Sequence, residues 1–320
     1  MNDRTTDTFL SLGLTPALQR TLVFEHFRVG EVNRAREIAL SAAGKGVNVA
    51  MALAGFGLRA WMTGFNGGDS GRTVEADAVG RGAISALTRI RKNTRVCDTI
   101  VDQATGKVTE LVEEAPPISA ADLARFRKAA LALERRCAGL AISGTVPPAL
   151  AQQNIYVPFA ELADRRQIPW VIDSHRGDLL SVLHCHPLVA KMNRHELEVT
   201  FGQVCTSDAM IVEQARRLTA GGARHAFITD GARPSWLVSA DGKAWKLMPP
   251  DVDRVVNPIG SGDCVTAAML AALWQGKTAL QAARLGLACG SANTVTLIPA
   301  LFEMKLVEKL RKATVAERIS

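Results

Sequence analysis

The sequence predicts a three-layer α/β domain: a mostly parallel central sheet, helices on both faces, and a small β-sheet lid. Two observations carry this. Short apolar runs alternate with helix-length stretches along much of the chain, and such alternation builds a parallel sheet because each parallel connection needs a crossover. Two regions, about 16–38 and 94–112, break the alternation and are mixed in polarity. They read as short exposed strands that together make the lid. At 320 residues, with no linker, repeat or low-complexity segment, residues 1–320 suit a single domain.

The elements follow in order. Thr8 to Leu14 is a short apolar run closed by Thr15-Pro16, and reads as the first strand. Residues 22–40 read as exposed strands. Gly44-Lys45-Gly46 opens a helix running through Met51 and Leu53 towards Gly57. Ala60 to Gly64 is the next strand, and residues 67–71 turn into a further helix. Residues 94–112 form two strands with Thr105-Gly106 between them. Ser119 is placed to cap a helix from Ala120 to Cys137. Strands are then expected at 140–143, 170–173, 188–191 and 226–229, with helices around 149–166, near Glu196 and at 211–218. A hairpin over 236–247 turns at Asp241-Gly242. The remainder reads as largely helical.

Composition narrows the function. No apolar run reaches the roughly 18 residues of a membrane span, and Met1-Asn2-Asp3-Arg4 lacks a secretory start. A cytoplasmic protein with no membrane partner is expected. The net charge is +7, but basic and acidic residues are interspersed and aromatics are only 5%. A modest positive potential also fits small anionic substrates, and the charge alone does not decide between these and nucleic acid, which the later motifs argue against. The six cysteines include no Cys-x-x-Cys pair, so they read as reduced, mostly buried thiols. His184-Cys185-His186 could suggest a metal, but no second ligand group lies at a useful spacing.

The strongest chemical signal is Asn257-Pro258-Ile259-Gly260-Ser261-Gly262-Asp263 before an Ala-rich helix. Gly260 and Gly262 allow a tight turn, so amide groups converge with Ser261 at a helix N-terminus as an anion hole. Asp263 beside it can take the proton of an attacking hydroxyl. The positive helix end is expected to keep Asp263 ionised. Alone, the same segment also reads as an ordinary helix cap. A second signal is Ala43-Gly44-Lys45-Gly46-Val47-Asn48. Gly44 permits close backbone approach, Lys45 can meet a charged substrate, and Asn48 offers donors and an acceptor to sugar hydroxyls. Alone, it also reads as a turn with a surface lysine. It is not a Walker A loop, since Ala39 stands where glycine is required; nor does Gly260-Ser261-Gly262 have a Rossmann third glycine.

These two segments resemble the signature regions of the PfkB family of ribokinase-like sugar kinases. The first continues with Gly57 and Gly67 at the family's spacing, and Ser143-Gly144-Thr145-Val146-Pro147 and Lys191-Met192-Asn193-Arg194-His195-Glu196-Leu197 extend the likeness. Ala-Gly-Lys-Gly-Val-Asn at 43–48, Thr94-Arg95 and Thr109-Glu110-Leu111 are most similar to the branch of 1-phosphofructokinase and tagatose-6-phosphate kinase.

The resemblance implies a ribokinase-like fold and ATP-dependent phosphorylation of a ketohexose phosphate by in-line transfer, with Asp263 as base and Gly260, Ser261 and Gly262 as the anion hole. It implies that Lys191, Asn193 and Glu196 lie near the ATP phosphates and Mg2+, with Glu196 acting through water. Thr229 and Gly231 would line the nucleotide site and Asn293 would lie near the adenine. Lys45 and Arg95 would supply cations for a substrate that already carries phosphate. The lid would cover the sugar and pair two subunits. Three departures stand out. Gln19 replaces the usual sugar-binding Asp, which leaves a kinase of an unphosphorylated sugar or nucleoside as an alternative, beside an inactive binding regulator. Met192 replaces the usual Pro, and the loop at Gly231-Ala232-Arg233 lacks a second glycine.

Overall fold

A computed structural model describes residues 7–319 of the chain; the Met1–Arg4 stretch considered for a secretory start lies outside the described residues. The chain begins with β1 (Thr8–Leu12), β2 (Ala17–Phe24) and β3 (Glu37–Ala43). α1 (Lys45–Gly55) is buried continuously from Gly46 to Leu53, as expected of a helix that is apolar on almost every side. β4 (Arg59–Thr63), β5 (Phe65–Asn66), α2 (Gly68–Gly80), β6 (Ile84–Ser85) and β7 (Thr88–Arg89) follow, then the hairpin β8 (Arg95–Asp102) and β9 (Lys107–Val112). The alternating half comprises α3 (Ala120–Glu134), β10 (Gly139–Ser143), α4 (Val157–Arg166), β11 (Trp170–Asp173), α5 (Arg176–Leu180), β12 (Val189–Asn193), α6 (Arg194–Phe201), α7 (Asp208–Ala220) and β13 (His225–Asp230). β14 (Arg233–Ser239) and β15 (Ala244–Met248) then lead to α8 (Ser261–Trp274), α9 (Ala279–Asn293), α10 (Met304–Ala313) and β16 (Val315–Arg318).

Ten strands form the main sheet in the order β16-β15-β14-β13-β12-β11-β10-β1-β4-β6. Pairing is parallel from β13 through to β6 and antiparallel among β13, β14, β15 and β16. Side-chain alternation divides the core. Phe9, Ala141, Val171 and Phe227 face α1, α8 and α9, whereas Leu10, Leu140, Ile142 and Ile172 face α3, α4 and α7. Both faces are therefore covered, which is why these strands read as unbroken apolar runs. Each fully buried Leu or Phe contributes about 1.5–3 kcal/mol. The six cysteines are unpaired and buried. No helix among the described residues is long and apolar enough to cross a membrane.

The lid is a separate four-stranded sheet ordered β3-β2-β8-β9. Its second strand covers 17–24 and its first 37–43, so residues 25–36, expected to be strand, instead connect them. The expected helix over 149–166 is two pieces: a 3-10 turn over Pro148–Gln153 ends at Asn154, in the left-handed conformation, and α4 starts one residue before Pro158. Proline is tolerated there because the first helical amides have no acceptor in any case. Ser119 caps α3 by accepting from the Asp122 amide. The chain ends not in a helix but in β16, paired with β15; four residues with no alternation carry too little signal to read.

What positions the site is the point where the sheet's order reverses. From β1 the chain passes to β4 on one side and later to β10 on the other. The carboxyl ends of β11, β12 and β13 open into one crevice nearby, lined by Asp173, Lys191 and Thr229, as expected for ligand sites at the strand ends of α/β sheets.

Candidate functional site

A cavity of about 740 Å³ occupies this crevice. Its floor comes from the strand ends and the N-termini of α1 and α8, and its roof from β2, β8 and β9. It brings together all but one of the predicted site residues: Gln19, Gly44, Lys45, Asn48, Arg95, Lys191, Asn193, Glu196, Thr229, Gly231, Gly260, Ser261, Gly262 and Asp263.

Gly260 caps α8 with φ +82°, and a Cβ there would meet the backbone of Ala300 at 2.9 Å, so only glycine fits. The Ser261 and Cys264 amides bond to Pro258 and Gly260 carbonyls. The Gly262 and Asp263 amides take no backbone acceptor among the described residues. They are open first-turn donors at a positive helix end, which suit an anion. Gly44, at φ +101° before α1, has no room for a Cβ against the Thr15 carbonyl at 2.7 Å, so the second loop also needs its glycine.

Asp263 is buried, and its Oδ2 accepts from Asn48 Nδ2 at 2.7 Å. Burial first, and the negative charge of Asp173 second, push its carboxyl up to about 7; Lys45, the Asn48 bond and Lys191 only partly offset this. The helix end was expected to hold Asp263 ionised. Instead desolvation and a like charge win, and the group sits at the balance point for a neutral-pH proton acceptor.

Beneath it lies a buried ionic cluster. Lys191 Nζ donates to Asp173 Oδ2 at 2.6 Å, Lys45 Nζ to Asp173 Oδ1 at 3.1 Å, and Thr266 Oγ1 to Asp173 Oδ2 at 2.9 Å. Lys45 also reaches Glu196 Oε1 at 3.3 Å. Although burial opposes the charge on Asp173, Lys191 and Lys45 hold it well below the usual carboxylate range. Burial likewise opposes the charge on Lys45, but Asp173, Glu196 and Asp263 raise its proton affinity well above that of a free lysine. Asp173 thus ties α1, β12 and α8 together. Sequence reading missed it and Thr266. A signal existed: an acid at the carboxyl end of a predicted strand, and a hydroxyl three residues after Asp263, on the same helix face.

Glu196 belongs to a capping box on α6. The Asn193 side chain accepts from the Glu196 amide at 2.8 Å, and Glu196 Oε2 accepts from the Asn193 amide at 2.8 Å. Thr229 and Gly231 flank it at the end of β13. Asn293 is the exception. It is not on the cavity wall; its Nδ2 donates to the Ile259 carbonyl at 2.9 Å and to Ser261 Oγ at 3.0 Å, bracing the glycine loop from behind. Gly290, Ser291 and Thr294 of the same region face the cavity instead.

On the lid, Arg95 donates to the Glu113 and Thr15 carbonyls at 3.2 and 3.3 Å. Gln19 commits both amide hydrogens to β8, donating to the Cys97 carbonyl at 3.1 Å and Thr99 Oγ1 at 2.6 Å. His184 and Cys185 lie in a 3-10 turn over Leu183–Cys185 that ends at His186, and the Cys185 carbonyl accepts from Trp170 Nε1.

A lidded cavity at the strand ends, with an acid near neutrality, one buried and one half-buried lysine and open helix amides, defines an α/β enzyme for a small anionic substrate. Residues 11–296 match the model of the pfkB family carbohydrate kinase. The chain belongs to that family and is a carbohydrate kinase. Among its relatives, 1-phosphofructokinase of Bacillus subtilis is 27% identical over 280 residues, 88% of this chain and 90% of that one. Tagatose-6-phosphate kinase of Staphylococcus epidermidis is 28% identical over 266 residues, 82% and 84% of the two chains. A crystal structure from Thermotoga maritima, described as a possible 1-phosphofructokinase, shares the fold with a TM-score of 0.88 at 21% identity, covering 98% of this chain and all of that one.

Proposed function

We propose that this kinase transfers the γ-phosphoryl group of ATP to a hydroxyl of a ketohexose phosphate, with fructose 1-phosphate and tagatose 6-phosphate or fructose 6-phosphate as the candidate substrates. One observation carries the reading: Asp263, with a proton affinity near neutrality, stands beside the open amides of Gly262 and itself at the start of α8. In this role Asp263 accepts the proton of the attacking hydroxyl, Asn48 orients it, and the α8 amides stabilise charge on the transferring phosphoryl group. Lys191 and Lys45, held in place by Asp173 and Glu196, face the phosphates. Arg95 and Lys45 provide the cations that a substrate phosphate needs. The named relatives act on sugar phosphates, which supports that choice over an unphosphorylated sugar.

Mg2+ fits this site only in part by direct ligation. Among the described residues no group of three or more His, Cys, Asp or Glu side chains could hold a metal ion, and Asp173 is already engaged by two lysines. A single carboxylate, Glu196, suits a magnesium ion that keeps its waters and is otherwise held by phosphate oxygens. When bound, the ion neutralises charge on the nucleotide phosphates. Closing the lid strands over the sugar excludes water and so limits hydrolysis of ATP.

We place a second copy of the chain on the lid's outer face. Leu40, Arg20, Asp98 and Leu111 form one cross-strand row there. Leu40 and Leu111 are exposed, as is Ile38 beside them, and the Arg20–Asp98 pair between them bonds at 2.6 and 2.9 Å. Sedimentation of the wild type and of Leu40→Glu tests this: the wild type should run as a dimer and the variant as a monomer.

The activity test is ADP release over a panel of sugars and sugar phosphates, with wild type and Asp263→Asn. Turnover confined to phosphorylated ketoses is expected, and its loss in Asp263→Asn. Turnover of free sugars or nucleosides alone would replace the substrate class. Nucleotide binding without turnover of any acceptor would make the chain a binding regulator.

A further inference from the structure

We propose that Glu110 is a specificity-determining residue of the acceptor half of the cavity, a lid carboxylate that takes hydrogen bonds from hydroxyls of the sugar phosphate. This rests on the sugar-phosphate kinase reading above.

Glu110 lines the cavity from β9 and stands directly across from Thr99 on β8. Thr99 is in turn bonded to Gln19 on β2. Gln19, paired with Cys97, thus reaches diagonally to Thr99, and Thr99 stands opposite Glu110 across the underside of the roof. At the Gln19 end both amide donors are committed to β8, and a neutral amide carbonyl is a weaker acceptor than a carboxylate. At the other end Glu110 accepts no hydrogen bond and forms no close ion pair among the described residues.

The remaining acids of the cavity are accounted for differently. Asp173 is held by two lysines, Glu196 by Lys45 and the Asn193 amide, and Asp263 by Asn48. Asp251 follows β15 of the main sheet and is not on a lid strand. Glu110 is thus the lid's own uncommitted acceptor. Glu110 remains open to solvent, yet partial desolvation raises its carboxyl and the Arg95 charge on the neighbouring strand pulls it back. A carboxylate with two free oxygens beside an arginine matches the two ends of a phosphorylated polyol: hydroxyls to Glu110, phosphate to Arg95.

The test is steady-state kinetics of wild type, Glu110→Gln and Glu110→Ala, with circular dichroism melting to confirm folding. Gln keeps the shape and removes the charge; Ala removes both. Each variant is expected to raise KM for the sugar phosphate by about tenfold or more, the loss of a charge-assisted hydrogen bond, with kcat and KM for ATP within about twofold. Inhibition by single-deoxy sugar phosphates supplies a second readout. The analogue that lacks the contacted hydroxyl should bind wild type about tenfold more weakly than the parent sugar phosphate does, and Glu110→Ala with no such penalty. An unchanged KM in both variants, or the same deoxy penalty in wild type and Glu110→Ala, overturns the proposal while leaving the kinase reading intact. If the wild type phosphorylates no sugar phosphate at all, the functional reading fails and this inference falls with it.

Discussion

Two buried carboxylates in this molecule meet opposite fates. Asp173, at the crevice, accepts from Lys191, Lys45 and Thr266 and stays ionised below the usual range. Glu134, at the end of α3, is as completely buried, yet neither carboxyl oxygen has a partner. Arg166 lies next to it but gives its hydrogens to the Glu134 and Cys137 carbonyls. Burial then dominates, and the Glu134 carboxyl is pushed up to about 8 despite Arg166 and Arg165. Charge alone, without hydrogen bonds to the carboxylate, does not offset burial at Glu134, whereas charge and hydrogen bonds together do at Asp173. The crevice meets that condition and so can hold a cluster of charges; the α3 end cannot.

Substitutions test this contrast directly. The largest effect is expected at the acid that the cluster serves. Asp263→Asn should lower kcat by about 10²–10⁴-fold, with ATP binding by calorimetry retained. Next, Asp173→Asn leaves Lys191 and Lys45 without their shared acceptor. It should destabilise the fold by about 3–5 kcal/mol in urea titration. It should also move a pH profile. In wild type, kcat/KM should rise with pH through about 7, because Asp263 must lose its proton to act as base. Asp173→Asn removes the like charge that raises this value, so the acid limb should shift to lower pH. A limb that did not move would show that Asp173 has no electrostatic hold on Asp263.

Lys45→Ala should raise KM for the phosphorylated substrate by several-fold to about a hundredfold, the equivalent of about 1.5–3 kcal/mol. The smallest effect belongs to Glu134. Its folded value lies above the ordinary value of 4.5, so its contribution is fully present below about 4.5 and is lost as pH rises towards about 8. Glu134→Gln should remove this slope and raise stability at pH 9 by about 1–3 kcal/mol, without altering turnover. If the variant melted with the same pH dependence as wild type, Glu134 would be paired in solution.

Much of the fold was legible because its signals are local. Burial on both faces makes β1, β10 and β11 apolar runs, Ser119 announces α3, and breaks in alternation mark the lid. The elements misread are those in which tertiary pairing outweighs a weak local pattern: β16, whose four residues are fixed only by β15, and the loop 25–36, which borders strands without joining them. In the site, glycine spacing exposed the residues at Gly44 and Gly260, since a left-handed turn leaves a mark in composition. Asn293 behind the loop, Gln19 turned into the lid and Glu110 opposite Thr99 leave no such mark.

The alternating architecture, the two glycine turns and the identity of the acid at 263 follow from the chain alone, because each depends on residues adjacent in sequence. The tertiary structure decided the state of that acid. Asp173, Lys45, Lys191 and Asp263 come from four separate elements, and the electrostatic balance among them depends on distance and exclusion of water. Those quantities arise only when the strand ends are brought together.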